Sequence, residues 1–398
     1  MKTGYDFSTG SSRVQRLAAS PIRAILDRAA ELRAAGNRVI PFSAGEPDFN
    51  TPEPIKQATI AAINNNFSHY GSNRGMPRLR EMIARKLLAE TGVSYAPETE
   101  VIVTSSGAEA INNAILTFIE DGDEVIVFTP AFVSYKNLIN YAGGVFIDIP
   151  LKPENGFCPD ASAVEQAITA RTKAIVLNNP NNPTGAVYDR NTLEKLAQLA
   201  VKHNLLVISD EMYSRLVYDD AEFTSMAALP GMKERTVIIN GFSKTYAMTG
   251  WRLGYLAADK RLTAPLMKMH QYSTTCSPTF IQQGLADSLE LIETADAVDS
   301  MIRAFAKRRK AILEGLSAIP KLSCVVPKGA FYVMVNVSAT GLDGMAFAKR
   351  LLEEHFVATV PAIGLGDACG DFIRISYAAS DEDIAEGLRR ILQFTSSL

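Results

Sequence analysis

AIVLNNPNNPTGAVYDRNTLEKLAQLAVKHNLLVISD, residues 174–210, carries the pattern on which the fold turns. It opens on the apolar run Ala174 to Leu177, crosses a loop dense in Asn, Pro and Gly, and closes on a second apolar run, Leu205 to Ser209. Short runs of this kind, rich in Ile, Val and Leu, read as buried strands. Between them Leu193, Leu196, Ala197 and Ala200 recur at i, i+3, i+4 and i+7, which places one apolar stripe along a helix. Strand, covering helix, strand is the unit from which parallel sheets are built.

Working outward, the same reading applies to Val101 to Thr104, Glu124 to Phe128 and Val237 to Asn240. The expected fold class is therefore α/β, a mostly parallel sheet covered by helices. Beyond about residue 290 the pattern changes to a long helical stretch, then strand Phe331 to Val337, helix Gly344 to His355, strands Phe356 to Val360 and Phe372 to Tyr377, and a helix after Ser380. That is a second, smaller α/β unit. A chain of 398 residues exceeds what one core usually serves. The expected division is 1–48 as an N-terminal arm packing with the small unit, 49–290 as the large unit, and 291–398 as the small C-terminal one.

With 47% apolar and 21% charged residues the composition is that of an ordinary globular enzyme. A net charge of −3 offers no basic field for nucleic acid or anionic membrane. The local exception, KRRK at 307–310, follows helical spacing of Ile302, Phe305, Leu313 and Leu316, so most of it is expected on a solvated helix face. Cys158, Cys276, Cys324 and Cys369 are widely separated, which signals neither a metal site nor a disulfide framework and suits a reducing cytoplasm. The stretch MKTGYDFSTGSSRVQRL lacks a signal-peptide core, and no run of 18 apolar residues occurs.

Four strand ends carry candidate chemistry. In VIVTSSGAEA, residues 101–110, Ser106 and Glu109 have capping-box spacing, which marks a helix start. The free amides and positive dipole end at Ser106, Gly107 and Ala108 would face the crevice as an anion site, although most such turns bind nothing. Asp210 ends LLVISD at the carboxyl end of a strand, where it could pair with a protonated ring nitrogen or simply cap a turn. Lys244 follows another buried strand in VIINGFSKTYAMTGWRLGY, residues 237–255, either as a surface lysine or as an amine whose pKa a crevice would depress. Arg252, eight residues on, offers a donor fork suited to phosphate. Asn182 sits in the loop after Leu177 at the same rim. Arg374 lies in DFIRISYA, residues 371–378, either facing a carboxylate partner or on a solvated edge strand. Several rims converging on one place is the stronger signal.

Taken in order, SSGA, NNPNNPTG, SDEMYS, SKTYAMTGWRLGY and FIRISYA resemble the fold-type I, class I aminotransferases, in the aspartate or aromatic branch of bacteria and archaea, from about Arg13 to the last helix. The resemblance implies a seven-stranded sheet in the large domain, pyridoxal 5′-phosphate as cofactor, and no metal. It makes Lys244 the Schiff-base lysine and Asp210 the partner of the pyridinium nitrogen. It places Asn182 and Tyr213 on the cofactor's 3′-oxygen and Ser106, Gly107, Ala108, Ser243 and Arg252 around its phosphate. Phe132 of PAFVSY resembles the residue stacked on the ring, and Gly45 of SAGEPDF with Arg374 resembles the α-carboxylate site. Tyr70 of HYGSNRG would reach the phosphate from a neighbouring subunit, which implies a homodimer with shared active sites.

The activity so implied is ping-pong transfer of an amino group from an L-amino acid, aspartate, aromatic or neutral, to 2-oxoglutarate, oxaloacetate or pyruvate. Two positions depart from the family pattern. Gly241 stands where many relatives place a hydroxyl on the phosphate, and Phe132 where aspartate-preferring relatives often carry tryptophan. No motif anchors an arginine for a side-chain carboxylate. The competing readings are a carbon–sulfur β-lyase on the same fold and a cofactor-binding regulatory domain of a transcription factor, though no helix-turn-helix module precedes the fold.

Overall fold

The computed structural model describes residues 8, 10–18 and 21–398. Part of the N-terminal stretch read for a signal core lies outside the described residues. The larger sheet comprises β1 (Val101–Thr104), β2 (Glu124–Thr129), β3 (Val145–Pro150), β4 (Thr172–Asn178), β5 (Leu206–Asp210), β6 (Thr236–Gly241) and β7 (Gly254–Ala257). Its spatial order is β1-β7-β6-β5-β4-β2-β3, with β7 alone antiparallel to its neighbours. β1, β4, β5 and β6 therefore share one direction, and their carboxyl ends open on one rim. That rim is where open α/β sheets bind ligands.

The sheet is covered on both faces, so its central strands carry almost no solvent exposure; Val237, Ile238 and Ile239 of β6 are all fully buried. Each such side chain contributes roughly 1.5 to 3 kcal/mol of burial free energy. The helix Arg190–Lys202 lays Leu193, Leu196, Ala197 and Ala200 against one face, as the spacing demands, and starts on an Asp189 side chain that accepts from the Thr192 amide.

The second sheet is antiparallel, with β8 (Ser323–Cys324), β9 (Tyr332–Asn336), β10 (Val360–Pro361) and β11 (Phe372–Ser376) in the order β10-β11-β9-β8. The helices Ile292–Ser317, Gly344–His355 and Asp381–Ser396 accompany it. From the helix Pro21–Ala34 onward the N-terminal segment joins this part of the molecule, as expected: Ile40 bridges Val357, and Ile25, Ala29, Leu32 and Val39 pack with Leu352 and Ala358. Before it, contrary to expectation, Arg16 pairs with Asp121 and the Ala18 amide donates to Asn137, beside the larger sheet. One core cluster runs from Tyr213 and Leu216, beyond β5, to Phe331 and Tyr332 at the start of β9. The smaller sheet is thereby seated against the rim of the larger one.

Three further expectations need correcting. The run Phe356 to Val360 is not a continuous strand: Phe356 closes the preceding helix at φ 54°, Val357 makes an isolated bridge, and only Val360–Pro361 joins the sheet. Its apolarity reflects burial, not pairing. Ser106 makes no side-chain cap; at φ 99° it turns away from the usual capping geometry, and Glu109 accepts from the amide of Ser105 instead. Half of the KRRK run is buried. Arg308 joins Asp48 and Asp381, while Arg309 donates to the Pro327 carbonyl and pairs with Asp219.

Candidate active site

A cavity of about 470 Å³ opens at the shared rim, between the larger sheet, the N-terminal segment and β11. Of the residues singled out from the sequence, Gly45, Ser106, Gly107, Ala108, Phe132, Asn182, Asp210, Tyr213, Ser243, Lys244, Arg252 and Arg374 all line it. Tyr70 does not: it is 88% exposed on the surface of the single chain.

The floor is Asp210, the last residue of β5. Its Oδ2 accepts from the Tyr135 hydroxyl at 2.6 Å and its Oδ1 from the Met212 amide at 3.1 Å. Burial pushes its pKa up, against the opposing pull of these two donors and of Lys244. A buried carboxylate with two neutral donors and no cation in contact is suited to a positively charged group brought by a ligand. Nothing local in the sequence marks Tyr135: it lies 75 residues from Asp210 and reaches it only through the fold. Its ring meets Phe132 edge-on, with centroids 5.8 Å apart.

Lys244 projects from the turn after β6. Its amine donates to the Gly45 carbonyl at 2.5 Å and lies 5.9 Å from the Phe331 ring centre. Burial, opposed by Glu46 and Asp210 and reinforced by Arg374 and Arg252, pulls its pKa from 10.5 to about 8. An amine so shifted is neutral often enough near neutral pH to attack a carbonyl or take a proton.

Around it the anion-binding parts gather. The helix Gly107–Phe118 begins at the cavity wall, where its first amides have no intrahelical acceptor. The backbone there is packed tightly: a Cβ on Gly254 would lie 2.7 Å from the Gly107 nitrogen, and one on Gly107 would meet the Met212 side chain at 2.5 Å. Glycine is required at Gly254, where the neighbour is backbone, while at Gly107 the end of the Met212 side chain would have to move. Arg252 stands beside this turn at φ 56°, with Nη1 donating to the Thr249 carbonyl at 2.7 Å. Gly241 has the same explanation as Gly254, its strand partner: a Cβ would come within 2.9 Å of the Gly254 Cα. A hydroxyl side chain has no room there, and the serines on the wall are Ser43, Ser106 and Ser243.

Arg374 projects from β11 and is 8% exposed. Its Nη1 donates to Asn182 Oδ1 and its Nη2 to the Ser43 carbonyl, each at 3.1 Å, and the guanidinium lies 4.4 Å from the Tyr332 ring centre. No protein carboxylate meets it among the described residues, contrary to the partner that a buried arginine suggests, and its buried Nε has no acceptor. A ligand carboxylate in the cavity would give the guanidinium the anionic partner that the described residues do not supply. Asn182 is itself fixed, because its amide donates to Asn178 Oδ1 at 2.7 Å, and Asn178 donates in turn to the Asp210 carbonyl. Tyr213 shares a 3.0 Å hydrogen bond with Tyr332.

The family profile for aminotransferase class I and II matches residues 37–391. The chain belongs to that family. This aminotransferase is 42% identical to the aspartate/prephenate aminotransferase of Thermus thermophilus, over 96% of its own length and 97% of that protein. It is 38% identical to aromatic-amino-acid aminotransferase 2 of Thermococcus litoralis, with the same coverage. The solved structure of the Thermus thermophilus aspartate aminotransferase with maleate superposes with a TM-score of 0.92 at 40% identity, covering 96% of this chain and 98% of that one. The enzyme is a pyridoxal phosphate-dependent transaminase of the fold-type I class, and these relatives favour amino-group transfer over β-elimination.

The residues present fit that cofactor. A glycine-lined helix start with an adjacent arginine suits its phosphate, the buried Asp210 suits its protonated ring nitrogen, and the Lys244 amine has the depressed pKa that imine chemistry requires.

Proposed function

We propose that this enzyme moves the α-amino group of aspartate, aromatic or neutral L-amino acids to 2-oxoglutarate, oxaloacetate or pyruvate, with Lys244 as the proton-transferring base. When bound, pyridoxal phosphate supplies an electron sink for the electron pair left at the substrate's Cα. Lys244 is the amine that would hold the cofactor, and its Nζ, whose pKa burial lowers, would carry the proton at the substrate's Cα. Asp210, held by Tyr135, would keep a proton on the ring nitrogen. Asn182 and Tyr213 would hydrogen-bond the 3′-oxygen, and Phe132 would cover the ring. Ser106, Gly107, Ala108, Ser243 and Arg252 would bind the phosphate. Arg374, with Gly45 and Asn182 beside it, binds the α-carboxylate and so fixes which Cα bond faces Lys244.

The observation that carries this reading is the buried Arg374 guanidinium, which meets no protein carboxylate among the described residues, in the cavity that also holds the Lys244 amine. The donor range rests on the names of the relatives, which include aspartate/prephenate and aromatic-amino-acid aminotransferases.

The working unit is a homodimer in the cytoplasm. The exposed Tyr70 supports the first part, as a residue free to enter a neighbouring subunit's site; four free cysteines support the second. The division into an N-terminal arm and part of the small domain up to residue 48, a large domain over 49–290 and the remainder of the small domain over 291–398 is supported by the two separate sheets and by the bridge of Ile40 to Val357.

Mixing holoenzyme with one amino acid and no acceptor tests the reaction. Transfer gives one equivalent of 2-oxo acid and converts the cofactor to its amine form, then stops; continuous release of pyruvate and ammonia would show elimination instead.

A further inference from the structure

Four cationic side chains line the active-site cavity, Arg23, Lys244, Arg252 and Arg374, against a single anionic one, Asp210. Three of the four have a role in amino-group transfer. Arg252 faces the phosphate, Lys244 holds the cofactor, and Arg374 takes the α-carboxylate, while Asp210 is matched by the ring nitrogen. Arg23 is left over.

Arg23 lies in the first turn of the helix Pro21–Ala34, in the part of the chain packed beside β10. It is exposed, and among the described residues it makes no hydrogen bond or ion pair. Glu46, next to the wall residue Gly45, accepts from the Thr249 hydroxyl at 2.6 Å. On the same turn Ile22 and Leu26, at i and i+4, also line the cavity, as do Ile111, Val133 and Leu365 on other walls. The remainder of the substrate's side-chain space is thus apolar, with one unpaired cation.

We propose that Arg23 is the specificity-determining residue that pairs with the distal carboxylate of dicarboxylic substrates, amino acid and 2-oxo acid alike. This assignment rests on the aminotransferase reading and adds to it the residue that no motif supplied. Ile22 and Leu26 offer the same helical face to an aromatic or aliphatic side chain, and Arg23, being tied to no protein partner, is free to withdraw into solvent when the substrate brings no charge. A single flexible arginine on an apolar wall accommodates both substrate types without rebuilding the pocket.

The experiment compares wild-type, Arg23→Gln and Arg23→Lys holoenzymes. Succinate, an inert dicarboxylate, is titrated against the cofactor's absorbance, and single-turnover half-reactions are measured with aspartate, glutamate, alanine and phenylalanine. In Arg23→Gln the succinate Kd is expected to rise about 10- to 100-fold, the loss of one charge-assisted pair. The ratio of kcat/KM for aspartate to that for phenylalanine should fall by a similar factor, and Arg23→Lys should recover part of both.

A selectivity ratio that stays within about twofold of wild type, or weaker pyridoxal phosphate binding in Arg23→Gln, would overturn the assignment. The second result would place Arg23 on the phosphate. A wild-type holoenzyme inert toward every amino acid would refute the aminotransferase reading itself, and the role of Arg23 with it.

Discussion

Replacing Tyr135 by Phe removes one oxygen from the protein and leaves the aromatic packing against Phe132 in place. The oxygen it removes donates the shorter of the two hydrogen bonds to Asp210, 2.6 Å against 3.1 Å from the Met212 amide. A hydrogen bond to a charged group contributes about 1.5 to 3 kcal/mol. Asp210 is already pushed toward its neutral form by burial, and the Tyr135 hydroxyl is the first of the forces opposing that push. Without it the carboxylate protonates more readily, and a protonated Asp210 cannot hold the ring nitrogen's positive charge. Spending the same 1.5 to 3 kcal/mol at the transition state slows kcat by roughly 10- to 150-fold, since 1.36 kcal/mol is tenfold. Substrate contacts are untouched, so KM should move by less than about threefold.

The assay is stopped-flow measurement of the half-reaction across pH, with Tm as a control for folding. The acid limb of the variant's profile should move to higher pH, because Asp210 then stays protonated further up the scale. An unchanged kcat and acid limb in a folded variant would refute the idea that Tyr135 keeps Asp210 ionised.

Further outcomes follow from the same geometry. Arg374→Met should lower kcat/KM by roughly 30- to 5,000-fold, the range set by about 2 to 5 kcal/mol for a buried charge pair, with most of the loss in KM; steady-state kinetics measures it. Gly254→Ala should weaken pyridoxal phosphate binding and cost about 1 to 3 kcal/mol of stability, because its Cβ would press on the backbone of Gly107; cofactor titration and thermal melts follow both. Lys244 has a folded pKa of about 8 against 10.5 unfolded, so between those values the unfolded chain binds more protons. The apoenzyme should therefore gain stability from this residue as pH rises from about 8 toward 10.5, and the rate of cofactor capture should rise with pH and level off above about 8. Denaturant melts of apo wild type and Lys244→Met across this range give the first, absorbance the second.

The parallel core was legible because β4, β5 and β6 are buried on both faces and so are written as unbroken Ile, Val and Leu. The strands β3 and β7 were not. β3 lies at the sheet's edge with Val145 exposed, and β7 begins with Gly254, a residue chosen for close approach and not for strand propensity. Phe356 to Val360 misled for the opposite reason, as a buried apolar segment that crosses the core without a ladder. Lys244, Asp210, Asn182 and Arg374 could be singled out since each ends or interrupts an apolar run. Tyr135 and Arg23 could not, because a tyrosine and an arginine on amphipathic helices carry no local mark, and their significance arises only where the fold places them beside the cavity.

Lys244 is the residue on which cofactor attachment and proton transfer both depend. Holoenzyme reduced with borohydride, digested and read by peptide mass should carry one phosphopyridoxyl group per chain, on the peptide containing Lys244, and Lys244→Ala should bind cofactor without fixing it and without transaminating. The adduct on another lysine, or ordinary turnover by Lys244→Ala, would contradict it.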